Sequence, residues 1–423
     1  RTRAHPAPLM MLRRAITGAA APLTLYGAAC CSSAEERKEL KQTLTSVASK
    51  IFVESWQADQ VSAQLGSESW SVKKERLHGG RQEGVDVISV DNGRLAFTVV
   101  PTRGMSIGDL AFRRSGVEGD RMESLSWASP VREVVHPREI ELNDTGGLGW
   151  LTGFNEFIVR CGVAHAGHPG HDDGKLLTLH GRIGNIPASE VKVTIDADAP
   201  HTIRVCGRVD EQMFKFHDFE LWTEVSTVPG SNTLTVSDRL VNRSSYEKEY
   251  QMIYHTNFGP GAGLESGAQF VAPVATVAPF DAAAAADLGT WNKYLGPTRD
   301  FGERCYKLTN HADEQGVSQV ALISSDGQRG VSLKYTEANL PAFTLWKNTD
   351  TMEQGYVTGL EPGTSFCHPR PMERKAGRLP ILGPGEEVQF VIQISALDGP
   401  KVVAARNEIE ALRKGRNPQV VEG

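Results

Sequence analysis

Runs of strict two-residue alternation between apolar and polar side chains recur along the chain and constrain its fold more than any other feature. Leu95-Ala-Phe-Thr-Val, Ile203-Arg-Val-Cys-Gly-Arg-Val, Phe219-Glu-Leu-Trp-Thr-Glu-Val, Val331-Ser-Leu-Lys-Tyr and Val388-Gln-Phe-Val-Ile-Gln-Ile all carry it. Successive side chains on a strand point to opposite faces, so each run predicts a strand with one buried and one wetter face. Turn chemistry bounds the runs, as in Asp91-Asn92-Gly93, Pro229-Gly230-Ser231-Asn232 and Asp326-Gly327. Between Trp70 and Asp398 there is no βαβ rhythm, no clean linker and no fixed repeat, and the alanine run 282–286 is too short to separate domains. The expected fold is all-β, a sandwich or barrel of antiparallel strands in one large domain.

A helical period is confined to the two ends. Leu40, Leu44, Val47 and Ile51 fall at i, i+4, i+7 and i+11, which predicts a helix over 33–51 with Ser33 and Glu36 as a capping box. Val403, Ile409 and Leu412 predict a second helix over 401–415, stopped at Gly415. The chain therefore divides into a leader (1–34), an N-terminal helical extension (35–69), the β domain (70–398) and a C-terminal helix and tail (399–423).

The leader has the outline of a secretory signal. Met10 or Met11 offers a start, Arg13 and Arg14 a positive n-region, 15–34 an uncharged stretch, and Ser32-Ser33-Ala34 small residues for cleavage. Export to the periplasm or the exterior is the expectation; the alternative is a cytoplasmic protein read from too early a start. Cys30 after Gly27-Ala28-Ala29 offers a weak lipid-anchor signal. No other uncharged apolar run approaches the roughly 18 residues of a spanning helix. Across 423 residues, 45 Lys+Arg against 51 Asp+Glu leave a net charge of −6, which disfavours nucleic acid and anionic lipid as partners. Beyond the leader, Cys161, Cys206, Cys305 and Cys367 show neither CxxC nor zinc spacing, so buried free thiols are expected.

Four segments carry candidate chemistry. In Leu179-His180-Gly181-Arg182, a strand would point His180 and Arg182 the same way, with Gly181 admitting a ligand between them. In 249–259, alternation puts Gln251, Ile253 and His255 on one face and Tyr250, Met252 and Tyr254 on the other, with His255 near the Gly259–Gly263 turn. Trp346 could offer a flat face to a sugar ring, and Glu361 stands at a strand-to-turn junction. His165, His168 and His171, with Asp172 and Asp173, have donors for a transition metal, but their Gly/Pro loop imposes no geometry and reads as solvated. Each of these residues has an equally ordinary structural role, as a core ring or a turn partner. Phosphate-loop, dinucleotide and HExxH motifs are missing.

Taken in order, Pro101-Thr-Arg-Gly-Met105, Leu179-His-Gly-Arg182, Tyr254-His-Thr-Asn257, Leu345-Trp-Lys-Asn348 and Gly359-Leu-Glu-Pro362 resemble the aldose 1-epimerase-like family DUF4432, a distant branch of the galactose mutarotase superfamily. The resemblance, over about Trp70 to Asp398, implies a β-supersandwich and a cofactor-independent enzyme that interconverts sugar anomers. It implies Glu361 as the base on the anomeric hydroxyl, His255 as the acid on the ring oxygen and His180 as a second imidazole on the sugar. Arg103, Arg182, Asn257, Trp346 and Lys347 are the implied substrate contacts. With ordinary values of about 4.3 for Glu and about 6.5 for His, Glu361 would be ionised and His255 partly protonated near pH 7. Phe154-Asn155-Glu156-Phe157 departs from the family's expected Gly-Gly-Leu and would reshape the pocket. Two other readings remain: a non-catalytic carbohydrate-binding module on the same fold, or a hydrolase or lyase using a second group such as Asp238, Glu156 or Tyr254.

Overall fold

A computed structural model of the chain describes residues 39–114 and 122–422. The leader and the Ser33–Glu36 capping box lie outside the described residues. Two large antiparallel sheets pack face to face, as the alternation predicts. The ten-stranded sheet is built around the long strands Ile203–Met213, His217–Thr227, Thr233–Asn242 and Glu387–Asp398. The thirteen-stranded sheet has at its centre Arg304–Asn310, Ala342–Asn348, Val357–Gly363, Gln251–Phe258 and Ile158–Val163. A parallel pairing joins Val274–Pro279 to Gln419–Val420.

The core lies between the sheets. Val205, Leu221, Val236 and Ile392 from one meet Phe97, Ile107, Phe112 and Phe157 from the other. Full burial of such side chains contributes about 1.5–3 kcal/mol each. A polar tie crosses this apolar layer: the Arg160 guanidinium donates to Asp238 Oδ1 at 3.0 Å, and the Tyr254 hydroxyl donates to Asp238 Oδ2 at 2.7 Å. All three are buried, so the geometry must satisfy each charge internally.

The ends differ in outcome. The C-terminal helix forms over Pro400–Arg413 and packs Val402, Ala405 and Ile409 on Ala321, Ile323 and Leu397. The N-terminal helix does not: Leu40–Ser46 is a strand paired with Glu190–Ile195. A four-residue spacing satisfies period two as well as period 3.6, and β-branched Thr43 and Thr45 favour the extended form. Leu44 turns inward while Val47 is 57% exposed. With Trp56–Asp59 also in a sheet, residues 39–59 belong to the sandwich, and the helical extension reduces to the single turn Gln60–Ala63. No helix among the described residues is long and apolar enough to cross a membrane.

Register decides what faces outward from the thirteen-stranded sheet. Ile253 pairs with Gly363 and Asn257 with Gly359, so His255 lies opposite Glu361. Glu361 pairs with Thr344, and Thr344 with Lys307. Residues directly opposite on antiparallel strands share a face. His255, Glu361, Thr344 and Lys307 thus form one transverse row on the face away from the core.

Candidate active site

Three residues of the sequence motifs converge on that face. His255 Nε2 lies 3.4 Å from Glu361 Oε1, and the His180 ring stands edge-on 5.3 Å from the His255 ring. The exposures of His180, His255 and Glu361 are 8%, 5% and 2%. Aromatic rings wall the group. Trp150 lies 4.7 Å from His180, Phe154 5.1 Å and Trp346 5.3 Å from His255, while Trp127 packs on Phe154 at 4.7 Å.

Asn257 fixes the state of His255. Its amide nitrogen donates to the Glu156 carbonyl at 3.0 Å and to the His255 carbonyl at 3.4 Å, so Oδ1 must be the atom 2.8 Å from His255 Nδ1. Nδ1 therefore carries the proton, and Nε2 presents a lone pair to Glu361. On the other side, the Cys367 thiol donates to Glu361 Oε2 at 3.7 Å, leaving Oε1 without a hydrogen-bond partner. Gly359 makes room: a Cβ there would stand 2.3 Å from Glu361 Oε1.

Removal from water reverses the protonation expected from ordinary values. Burial pushes Glu361 up to about 8 and His255 down to about 4, each by disfavouring the charged form. Near neutral pH the contact between Glu361 and His255 Nε2 holds one proton, on the carboxyl, and Nε2 is the vacant acceptor. Burial likewise holds His180 well below the usual imidazole range, and its Nδ1 has no partner.

The remaining motif residues divide. Asn257 and Trp346 belong to the group, the first through His255 and the second as a half-buried wall whose Nε1 donates to Glu303 at 2.8 Å. Lys347 points to the core face, donating to the carbonyls of Trp291 and Lys293 at 3.2 and 2.6 Å beneath Tyr294. Arg103 is fully buried and paired to Glu156 Oε1 at 2.6 Å, with Gly153 O at 3.1 Å, so it stabilises the 153–156 segment instead of facing a ligand. Arg182 is exposed while His180 is buried, because the segment is no strand: φ is +58° at His180 and +74° at Gly181. Gly181 is required there, since a Cβ would lie 2.1 Å from the His165 carbonyl oxygen.

Asp238, Tyr254 and Glu156, the candidates for a second hydrolytic group, are engaged in the buried pairs with Arg160 and Arg103. The histidine loop is not uniformly solvated. His165 is buried against the Thr178 carbonyl and pushed down to about 4, His168 is exposed near Phe280, and His171 is exposed on a hairpin tied by Asp172 to Arg374 at 2.8 Å. Among the described residues no set of three or more His, Cys, Asp or Glu side chains is placed to hold a metal ion. Cys161 and Cys367 are buried, whereas Cys206 and Cys305 are half-buried.

Sequence reasoning missed Trp127, Trp150 and Cys367, and it took Phe154 only as a departure. None lies in an alternating run, so periodicity could not have found them; the turn-rich 143–154 segment was the only hint.

Residues 82–396 match the family described as DUF4432, a domain of unknown function. A solved structure from Klebsiella pneumoniae, provisionally described as an aldose 1-epimerase, is 39% identical, with a TM-score of 0.87 over 91% of this chain and 98% of that one. A galactose mutarotase-like protein from Clostridium acetobutylicum is 15% identical, with a TM-score of 0.52 over 77% of this chain and 98% of that one, and shares the fold. Comparison with curated proteins returned no match. With most of the sandwich inside the matched region, the chain belongs to the DUF4432 family and has the galactose mutarotase-like β-supersandwich fold.

Proposed function

We propose that the protein is an aldose 1-epimerase acting on a monosaccharide by proton transfer alone. The observation that carries this reading is the one-proton pair of Glu361 and His255, 3.4 Å apart in an aromatic-walled site. Opening a pyranose ring requires one proton to leave O1 and another to reach O5 while the C1–O5 bond breaks. O1 and O5 share one carbon, so an acid and a base side by side can serve both. The Glu361 carboxyl gives its proton to O5, His255 Nε2 takes the proton of O1, and C1=O1 forms. Rotation about C1–C2 turns the other carbonyl face to O5. Ring closure then returns the O5 proton to Glu361 and the His255 proton to O1, giving the opposite anomer and the starting pair.

The roles of donor and acceptor are thus exchanged relative to those the family resemblance implies, because desolvation favours the neutral forms. The unpartnered Nδ1 of His180 supports its role as a hydrogen-bonding imidazole for the sugar beside the pair. The Klebsiella relative's description agrees with this reaction class. Polarimetry and saturation-transfer NMR of an aldose panel test it. Interconversion rates unchanged in folded Glu361→Gln and His255→Ala proteins would defeat the assignment.

A further inference from the structure

Lys307 stands on the same row and face as the catalytic pair, two strands from Glu361 by way of Thr344. Neighbouring strands lie about 4.8 Å apart, so its backbone is on the order of 10 Å from that of Glu361. A monosaccharide with its anomeric carbon at Glu361 can extend its far end along this row.

The surroundings of Lys307 are those of a half-built ion site. It is half-buried, and no carboxylate among the described residues lies within ion-pair distance. Its ammonium donates to His368 Nε2 at 3.4 Å and sits 5.9 Å from the Phe280 ring. His368 stacks on Phe280 at 4.1 Å, and the exposed His168 lies 5.5 Å from the same ring. The nearby Glu373 is closed on Arg378 at 2.6 and 2.7 Å, and Glu303 is taken by Trp346. The group is continuous with the site, because His368 follows Cys367, whose thiol touches Glu361, and Phe280 packs on the aromatic wall. An ammonium partly withdrawn from water without a counter-ion is unfavourable until an anion joins it.

We propose that Lys307, with His368 and His168, forms a subsite for an anionic group on the substrate, a phosphate or carboxylate remote from the anomeric carbon. The inference rests on the sugar-epimerase reading of the same site and narrows its substrate class.

The test compares an aldohexose, its 6-phosphate and its uronate in the wild type and in Lys307→Gln and Lys307→Arg proteins. By NMR exchange, kcat/KM for one anionic sugar exceeds that for the neutral parent by about tenfold or more, the scale of one charge-assisted hydrogen bond. That ratio collapses in Lys307→Gln and survives in Lys307→Arg; the phosphate and uronate arms identify the anion. Calorimetry on Glu361→Gln protein reads binding without chemistry: the anionic sugar binds more tightly than the neutral one, and the preference shrinks with salt. Equal treatment of anionic and neutral sugars, or a ratio unmoved in folded Lys307→Gln, overturns the subsite. An anionic preference in calorimetry without turnover of any sugar keeps the subsite and removes the epimerase reading.

Discussion

Replacing Glu361 with Gln removes a buried acid that burial has pushed up to about 8 from an ordinary value of 4.5. Between those two values the unfolded chain releases the proton while the folded protein keeps it. The group's contribution to stability is therefore fully present below about pH 4.5 and is lost as pH rises through about 8. Each pH unit corresponds to about 1.4 kcal/mol, so the loss across the window is on the order of 5 kcal/mol. Glutamine fills nearly the same space and does not titrate. The unfolding free energy of the wild type minus that of Glu361→Gln should then fall by that amount from about pH 4.5 to about pH 8 and level off beyond. Urea unfolding followed by tryptophan fluorescence, run on both proteins across this range, measures the difference directly. A difference that stays flat would refute the desolvation argument. One that grows with pH would mean that Glu361 is held ionised by a cation, and the one-proton pair would fall with it.

The same pair sets the pH dependence of rate. Epimerisation should be steady between about 4 and about 8, losing its base below as His255 protonates and its acid above as Glu361 ionises. Asn257→Asp, read in the same assay, should move the acid limb upward, because a carboxylate beside Nδ1 favours the imidazolium; an unmoved limb would deny Asn257 its hold on His255. Gly359→Ala should keep the fold and lose most activity, since its Cβ would displace the Glu361 carboxyl, as polarimetry with circular dichroism can show. Asp238→Ala should destabilise by about 3–5 kcal/mol in urea titrations, because Arg160 would be left buried and unpaired.

How much of the site could be read in advance depends on what fixes each residue. His255, Glu361 and Asn257 were singled out by the motifs that carry the family resemblance, and register brings their strands together. Alternation does not say which parity faces the cleft. Trp346 and Lys347 are neighbours in one motif, yet only Trp346 faces the site, while Lys347 is held by core-side carbonyls. Arg103 and Arg182 were misplaced for different reasons. The first answers a buried Glu156 fifty-three residues away, and the second follows two left-handed residues that no strand reading anticipates. The N-terminal strand was mistaken for a helix because a spacing of four fits both periods.

By itself the amino-acid order determined an antiparallel all-β sandwich and the C-terminal helix. These follow from local periodicity and turn chemistry, which act over a few residues. Tertiary structure alone decided which face of the sheet holds the site, that a ring of tryptophans and phenylalanine closes over it, and that the proton rests on Glu361 and not on His255. Those depend on burial, and burial is created by chain segments far apart in sequence. A carboxyl and an imidazole carry ordinary affinities for a proton until the packed protein removes the water around them.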